Sequence, residues 1–192
     1  DFENSDLNFI DLPKEKYDLI LAKSVIHHLV NIEHVLFQIV QALKPGGVFI
    51  VRDHIGENRH IWKTSKLDFL NKKFKERYGN YIPDFCLQKP VRANTKPFEW
   101  IRSEDIPEVL DYYFRDSTIF EYKWGALSYS FLSLIKSEAN RIRNKRILTD
   151  MVKYAIILDI KYGHNFQQCS IFAAYSKPVN RDCLFVKPWN YE

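Results

Sequence analysis

Glycine is scarce in this chain, with six in 192 residues and none arranged as Gly-x-Gly. Within these residues that excludes the glycine-rich turn that lets a backbone close on nucleotide phosphates after a first strand. Cysteine is scarcer still. Cys86, Cys169 and Cys183 are widely spaced, with no Cys-x-x-Cys pair, so neither a disulfide framework nor a cysteine zinc site is expected. All three read as free buried thiols in a reducing, cytoplasmic setting. No apolar run exceeds five residues, far short of the roughly 20 that cross a membrane, and a signal peptide is not expected ahead of the first element. Charge of either sign is not in excess. Lys and Arg total 28 against 24 Asp and Glu, a margin too small to point to nucleic acid or a membrane surface.

What is present is the balance of a globular chain, 46% hydrophobic and 27% charged, enough for one domain or a large part of one. Aromatic residues make up 15%, with 14 Phe and 11 Tyr, so bulky side chains are available to line a pocket as well as fill a core.

The stretch from Tyr17 to Gly56 organises the rest. Leu19-Ile20-Leu21-Ala22 is an uninterrupted apolar run, and Val48-Phe49-Ile50-Val51 is a second. Between them Ile32, Val35, Leu36, Ile39, Val40 and Leu43 recur at helical spacing, opened by Asn31 as N-cap and stopped by Lys44-Pro45-Gly46-Gly47. Two such runs flanking a helix predict a βαβ unit with parallel strands and both faces covered. Ligands of open parallel sheets bind outside the strands' carboxyl ends. The chemistry is therefore expected around Ala22 to His28 and Asp53 to Arg59.

Elsewhere the spacing predicts the tail of a strand and a loop over residues 1–12, and a helix from Ser65 to about Gly79 opened by a Ser65–Asp68 capping box. Residues 80–102 hold Pro83, Pro90 and Pro97 among Tyr81, Phe85, Phe98 and Trp100, and read as an ordered lid. A helix from Ser103 to about Phe114, a strand over 118–124, two helices within 126–163 and a last strand over 170–175 complete the order β-α-β-α-α-β-α-α-β, an α/β layered domain. Eleven Lys or Arg stand against four Asp or Glu between Arg59 and Arg102. Lys72, Lys73, Lys75 and Arg77 there are best read as the solvated side of a helix.

Four motifs carry a resemblance to a known family. Asp6-Leu7-Asn8 precedes Leu12-Pro13 and Tyr17-Asp18-Leu19-Ile20; His27-His28-Leu29 follows the first strand; Leu43-Lys44-Pro45-Gly46-Gly47 precedes the second; Phe172-Ala173-Ala174-Tyr175-Ser176-Lys177-Pro178 covers the last strand and its end. In this order and spacing they resemble the C-terminal half of a class I S-adenosylmethionine-dependent methyltransferase. The resemblance implies a Rossmann-like sheet of order 3-2-1-4-5-7-6. This chain would supply strands 4, 5 and 6 in parallel and strand 7 antiparallel, with helices on both faces. It implies a partial methyltransferase domain over residues 1–178, with a variable, helical, substrate-facing portion within 57–163 and a tail over 179–192. The family's glycine-rich loop and acidic ribose-binding residue have no counterpart here. At roughly 30 residues per βαβ unit, about 80 to 100 residues would precede this chain.

The resemblance also assigns roles. Asp6 and Leu7 would contact the adenine of S-adenosylmethionine, and Ala22, Lys23 and Ser24 its methionine part. His27, His28, Asp53 and His54 are the candidates for orienting an acceptor and taking its proton; each histidine equally reads as a structural one. Arg59 and Trp62 are candidate substrate contacts, Arg59 as an anion clamp or as a surface ion pair with Glu57 or Asp53. No metal site is expected, because adjacent histidines do not share a helix face. The implied reaction is methyl transfer to an oxygen or nitrogen of a small molecule, without nucleic acid or membrane as partner. A non-catalytic Rossmann-like scaffold subunit is the alternative, and a nucleotide-dependent oxidoreductase a third.

Overall fold

The computed structural model describes residues 3–89, 98–138, 142 and 144–179. Its elements are β1 (Tyr17–Lys23), α1 (Ile32–Ala42), β2 (Leu43–His54), α2 (Thr64–Tyr78), α3 (Ile106–Phe114), β3 (Thr118–Trp124), α4 (Ser128–Glu138), α5 (Lys145–Tyr162) and β4 (Ser170–Ser176). The strands form one sheet in the order β1-β2-β4-β3. β1 and β2 are parallel and in register from Leu19 opposite Val48 to Lys23 opposite Arg52. β4 runs against both neighbours. Past its end, Lys177 N–H donates to the Gly47 carbonyl near the start of β2 (2.9 Å); before its start, Cys169 N–H donates to the Trp124 carbonyl at the end of β3 (3.1 Å). The fold is α/β, and its last strand inserts in reverse between the second and third.

Several boundaries differ from the sequence reading. Residues 3–12 hold a 3-10 turn, Leu7–Phe9, and no strand. Asn31 occupies the N-cap of α1 without a side-chain capping bond; its amide instead donates to the Asn8 carbonyl (3.1 Å), while Asn8 Oδ1 accepts from the N–H groups of Val30 and Asn31. The Ser65 capping box does not form. α2 starts at Thr64 behind Lys63, which offers no side-chain cap. The lid segment's residues 90–97 lie outside the described residues.

The largest shift is at Lys44-Pro45-Gly46-Gly47. Strand pairing begins already at Leu43, opposite Tyr17, and resumes at Val48, opposite Leu19, so these four residues bulge out of the ladder. Gly46 takes the left-handed conformation this bend requires, φ +78°. A Cβ on Gly47 would sit 2.9 Å from the Lys44 carbonyl oxygen and 3.0 Å from that of Tyr17. Both are backbone atoms that cannot swing away. Gly47→Ala is therefore expected to lower stability by about 1–3 kcal/mol, the usual range for overpacking, read as a lower urea midpoint with unchanged slope. A midpoint equal to wild type would mean that the bulge yields freely.

Two compact units result. The first comprises residues 1–55, 97–122 and 171–192. Its core joins the predicted face of α1, where Ile32, Leu36 and Val40 are at most 1% exposed, to α3 and the sheet. The rings of Phe49, Phe114 and Tyr175 cluster there, with Phe114 5.4 Å from Phe49 and 5.0 Å from Tyr175. β1 buries only one of its sides: Ile20 and Ala22 face the core, whereas Leu19 and Leu21 are 57% and 63% exposed.

The second unit comprises residues 56–96 and 123–170. Phe74 of α2 stacks on Phe131 of α4 at 4.5 Å and meets Tyr154 of α5 edge-on at 5.5 Å. Lys72, Lys75 and Arg77 lie on the solvated side of α2, as the sequence indicates. Asp159 of α5 caps α4 from outside, accepting from the Leu127 N–H (2.9 Å) and the Ser128 hydroxyl (2.7 Å). Deep in this unit Lys66 is 1% exposed. Its ammonium meets the Glu57 carboxylate at 2.5 Å, donates to the Gln167 carbonyl (3.0 Å) and sits 5.6 Å from the Trp62 ring centre. Cys169 is buried beside it, and burial raises its thiol pKa to about 12. Cys86 is exposed, contrary to the expected burial of all the cysteines, and Cys183 lies outside the described residues. Among the described residues no helix is long and apolar enough to cross a membrane.

Candidate functional site

The carboxyl ends of β1 and β2 lie side by side, and the chain leaves each of them in an unusual way. After β1, Ser24 adopts a left-handed conformation, φ +52°, with its N–H bonded to the Arg52 carbonyl at 2.8 Å. A non-glycine residue held there marks a backbone over-determined by its surroundings. The left-handed residue turns the chain into a short 3-10 helix, Ile26–His28.

Asp53, 4% exposed near the end of β2, anchors that turn. Its Oδ2 accepts from the backbone N–H groups of Val25 (3.0 Å) and Ile26 (2.7 Å), and its Oδ1 accepts from the His54 N–H (2.7 Å) and pairs with His27 Nδ1. Burial alone would raise the carboxyl's pKa. The His27 hydrogen bond and charge, with the His54 and Ile26 amides, outweigh it and hold Asp53 below the usual carboxylate range. An ionised Asp53 can only accept, so Nδ1 of His27 is the donor of this pair.

Facing His27 Nε2 is Glu99, which belongs to the same compact unit. Its Oε1 lies 3.7 Å from His27 Nε2, and its Oε2 lies 3.8 Å from His28 Nδ1. The segment bearing Glu99 is fastened beside the turn. Ile101 N–H donates to the His27 carbonyl (3.2 Å), and Arg102 grips the buried Glu33 carboxylate through both terminal nitrogens (2.8 and 2.7 Å) while also donating to the Val30 carbonyl (2.8 Å). The rings of His27 and His28 are 4.0 Å apart, and His54 lies 6.4 Å from His27, stacked on Trp100 at 3.7 Å.

The structure thus gathers His27, His28, Asp53 and His54, all from the sequence-derived set. Ala22 is buried at the end of β1 with Lys23 exposed beside it. Asp6 and Leu7 stand at the 3-10 turn before β1, where Asp6 Oδ1 accepts from the Asn8 N–H (2.9 Å) and side-chain amide (3.0 Å). That is the ordinary turn role of such a residue, and it engages one carboxylate oxygen. Arg59 and Trp62 fall in the second unit. Arg59 is exposed in a left-handed conformation, φ +51°, and Trp62 is 1% exposed beneath Lys66. Neither ion pair considered for Arg59 is present in the salt bridges found: Glu57 pairs with Lys66 and Asp53 with His27. Glu99 escaped the sequence reading. It lies among the prolines and aromatics of the lid segment, and no spacing rule links a carboxylate there to histidines some 70 residues earlier.

The resemblance of the amino-terminal residues to class I S-adenosylmethionine-dependent methyltransferases agrees with the family comparison: residues 1–49 match the family model described as a methyltransferase domain. A search of curated proteins finds no match. Among solved structures, the chain is similar to a phosphoethanolamine N-methyltransferase 2 of Haemonchus contortus (17% identity, TM-score 0.41), covering 91% of this chain and 36% of that one. It is likewise similar to the geranyl diphosphate C-methyltransferase of Streptomyces coelicolor A3(2) (10%, 0.42; 91% and 52%). The [4+2]-cyclase SpnF is a third (14%, 0.43; 94% and 57%). The chain therefore spans between about a third and three fifths of the length of these structures.

Proposed function

Taking the methyltransferase-domain match of residues 1–49 as the premise, we propose that this chain is the acceptor-handling part of an enzyme transferring a methyl group from S-adenosylmethionine to an oxygen or nitrogen of a small molecule. The observation that carries the reading is the Asp53–His27 pair at the carboxyl ends of two parallel strands. S-adenosylmethionine, when bound, supplies a methyl group already activated on a sulfonium centre. This chain's part is to hold the acceptor in line and relieve it of a proton. We assign that role to His27 Nε2. Asp53 orients the ring through Nδ1 and stabilises the imidazolium that forms when Nε2 takes the proton.

The residues fit the cofactor in one respect that can be tested. Only one oxygen of Asp6 is engaged within its turn, so the other remains to accept from an amino group. The experiment uses the longest natural form of the protein, with S-adenosylhomocysteine as calorimetric probe and a panel of small hydroxyl and amine compounds as acceptors. His27→Ala is expected to lower kcat by about 10²–10⁴-fold, the range for loss of a general base, with S-adenosylhomocysteine affinity unchanged. Asp6→Ala is expected to weaken that affinity about tenfold or more, the worth of a hydrogen bond to a charged group. Undiminished turnover in the first variant overturns His27 as the base. Unchanged affinity in the second removes Asp6 from the cofactor site.

A further inference from the structure

Three potential ligand atoms converge at the mouth of the turn. His27 Nε2 lies 3.7 Å from one carboxylate oxygen of Glu99, and His28 Nδ1 lies 3.8 Å from the other. All three ligand atoms lie within 4.8 Å of one another.

We infer that His27 Nε2, His28 Nδ1 and Glu99 form a binding site for a divalent transition-metal ion of the zinc class. Two imidazoles and one carboxylate suit zinc or its first-row neighbours, whereas magnesium and calcium take oxygen ligands. Bonds of about 2.0–2.1 Å set tetrahedral ligand atoms about 3.3 Å apart. Glu99 meets the two nitrogens with different oxygens, at 3.7 and 3.8 Å, so rotation of the Glu99 and His28 side chains is needed to bring one oxygen and both nitrogens to that spacing. His28 then exchanges its contact with the Phe98 carbonyl (3.3 Å) for the ion.

Three further features are what a metal site needs. Asp53 behind His27 is the outer carboxylate that fixes tautomer and ring orientation of a metal-binding histidine. The segment that carries Glu99 is fastened three residues further on by the Arg102–Glu33 clamp. Exposure of the side chains rises from His27 (8%) through Glu99 (26%) to His28 (42%), which leaves an entry path and an open coordination position. The objection that adjacent histidines cannot share a face holds for an α-helix; this pair sits in a 3-10 turn with rings 4.0 Å apart. What the ion would do rests on the methyl-transfer reading: an acceptor hydroxyl completing its shell would give its proton to solvent water more readily, with His27 then serving as a ligand rather than as the base. Binding of the ion does not rest on that reading.

The test is titration of the chain with Co²⁺ as spectroscopic probe and Zn²⁺ as competitor, with neither cofactor nor acceptor present. One Co²⁺ per chain with intense tetrahedral absorption, displaced by Zn²⁺, is the expected result. His28→Ala and Glu99→Gln, both changes of partly exposed side chains whose folding is checked by far-ultraviolet circular dichroism, are each expected to weaken binding about tenfold or more. Co²⁺ that keeps the spectrum of the aquo ion overturns the site. So does tight binding that neither substitution weakens, which would place the ion on other histidines. Because no methyl donor is involved, failure here and failure of the methyl-transfer reading are read in different experiments.

Discussion

Asp53→Ala is expected to lower the stability of the first unit by about 3–5 kcal/mol, the scale of removing a buried carboxylate and leaving its hydrogen-bond donors unpaired. The carboxylate receives three backbone N–H groups besides the His27 ring, and alanine strands all of them away from water. Each buried unsatisfied donor costs about 1–3 kcal/mol, so the turn Ile26–His28 should loosen before the sheet does. Hydrogen exchange at Val25 and Ile26, together with the urea midpoint, measures this. Asp53→Asn, which keeps an acceptor oxygen, should lose less.

The same pair sets a dependence on pH. The folded carboxyl is held below its ordinary value of about 3.9. On acidification the unfolded chain therefore takes up this proton first. Its contribution is complete at pH values well above 4 and is lost as the pH falls through that value toward the folded one. The stability gap between wild type and Asp53→Ala should accordingly narrow below about pH 4. A gap that stays constant across that range would show that Asp53 does not stabilise the fold as an ionised partner.

The second large effect concerns Lys66 and Glu57. Both side chains are at most 1% exposed, and Glu57 Oε2 has no hydrogen-bond donor among the described residues. Ion pairs that are fully desolvated gain little over apolar replacements, yet breaking one leaves a lone buried charge. Lys66→Met and Glu57→Leu alone should therefore each cost about 3–5 kcal/mol, while the double substitution should return close to wild type or above it. A double-mutant cycle on urea midpoints reads this coupling directly. Single substitutions with no effect would mean that water reaches the pair.

Much of the architecture was legible from periodicity. Ile32 to Leu43 repeat every three or four residues, and that face is the one buried. The apolar runs on either side form parallel neighbours in register. Histidines after the first strand and Asp53 at the end of the second could be paired from the sequence because parallel strands joined by one helix must end on the same side of a sheet.

Periodicity says nothing about contacts that depend on the path of a loop. Lys44-Pro45-Gly46-Gly47 reads as a helix stop, but whether it also interrupts a strand ladder depends on how closely Tyr17 approaches, which Gly47 alone permits. Leu19-Ile20-Leu21-Ala22 does not alternate in polarity, so it cannot reveal that Leu19 and Leu21 are exposed while Ala22 is buried.

The order of the elements, the parallel pair and the histidine turn beside Asp53 were thus set by the amino-acid sequence itself, since helix and strand periods and chain connectivity are local properties. Glu99 opposite His27 and Lys66 against Glu57 were decided only in three dimensions. Their geometry follows from where distant segments are fastened, by Arg102 on Glu33 in one case and by helix packing in the other. A single sequence carries no periodic signal for an attachment of that kind.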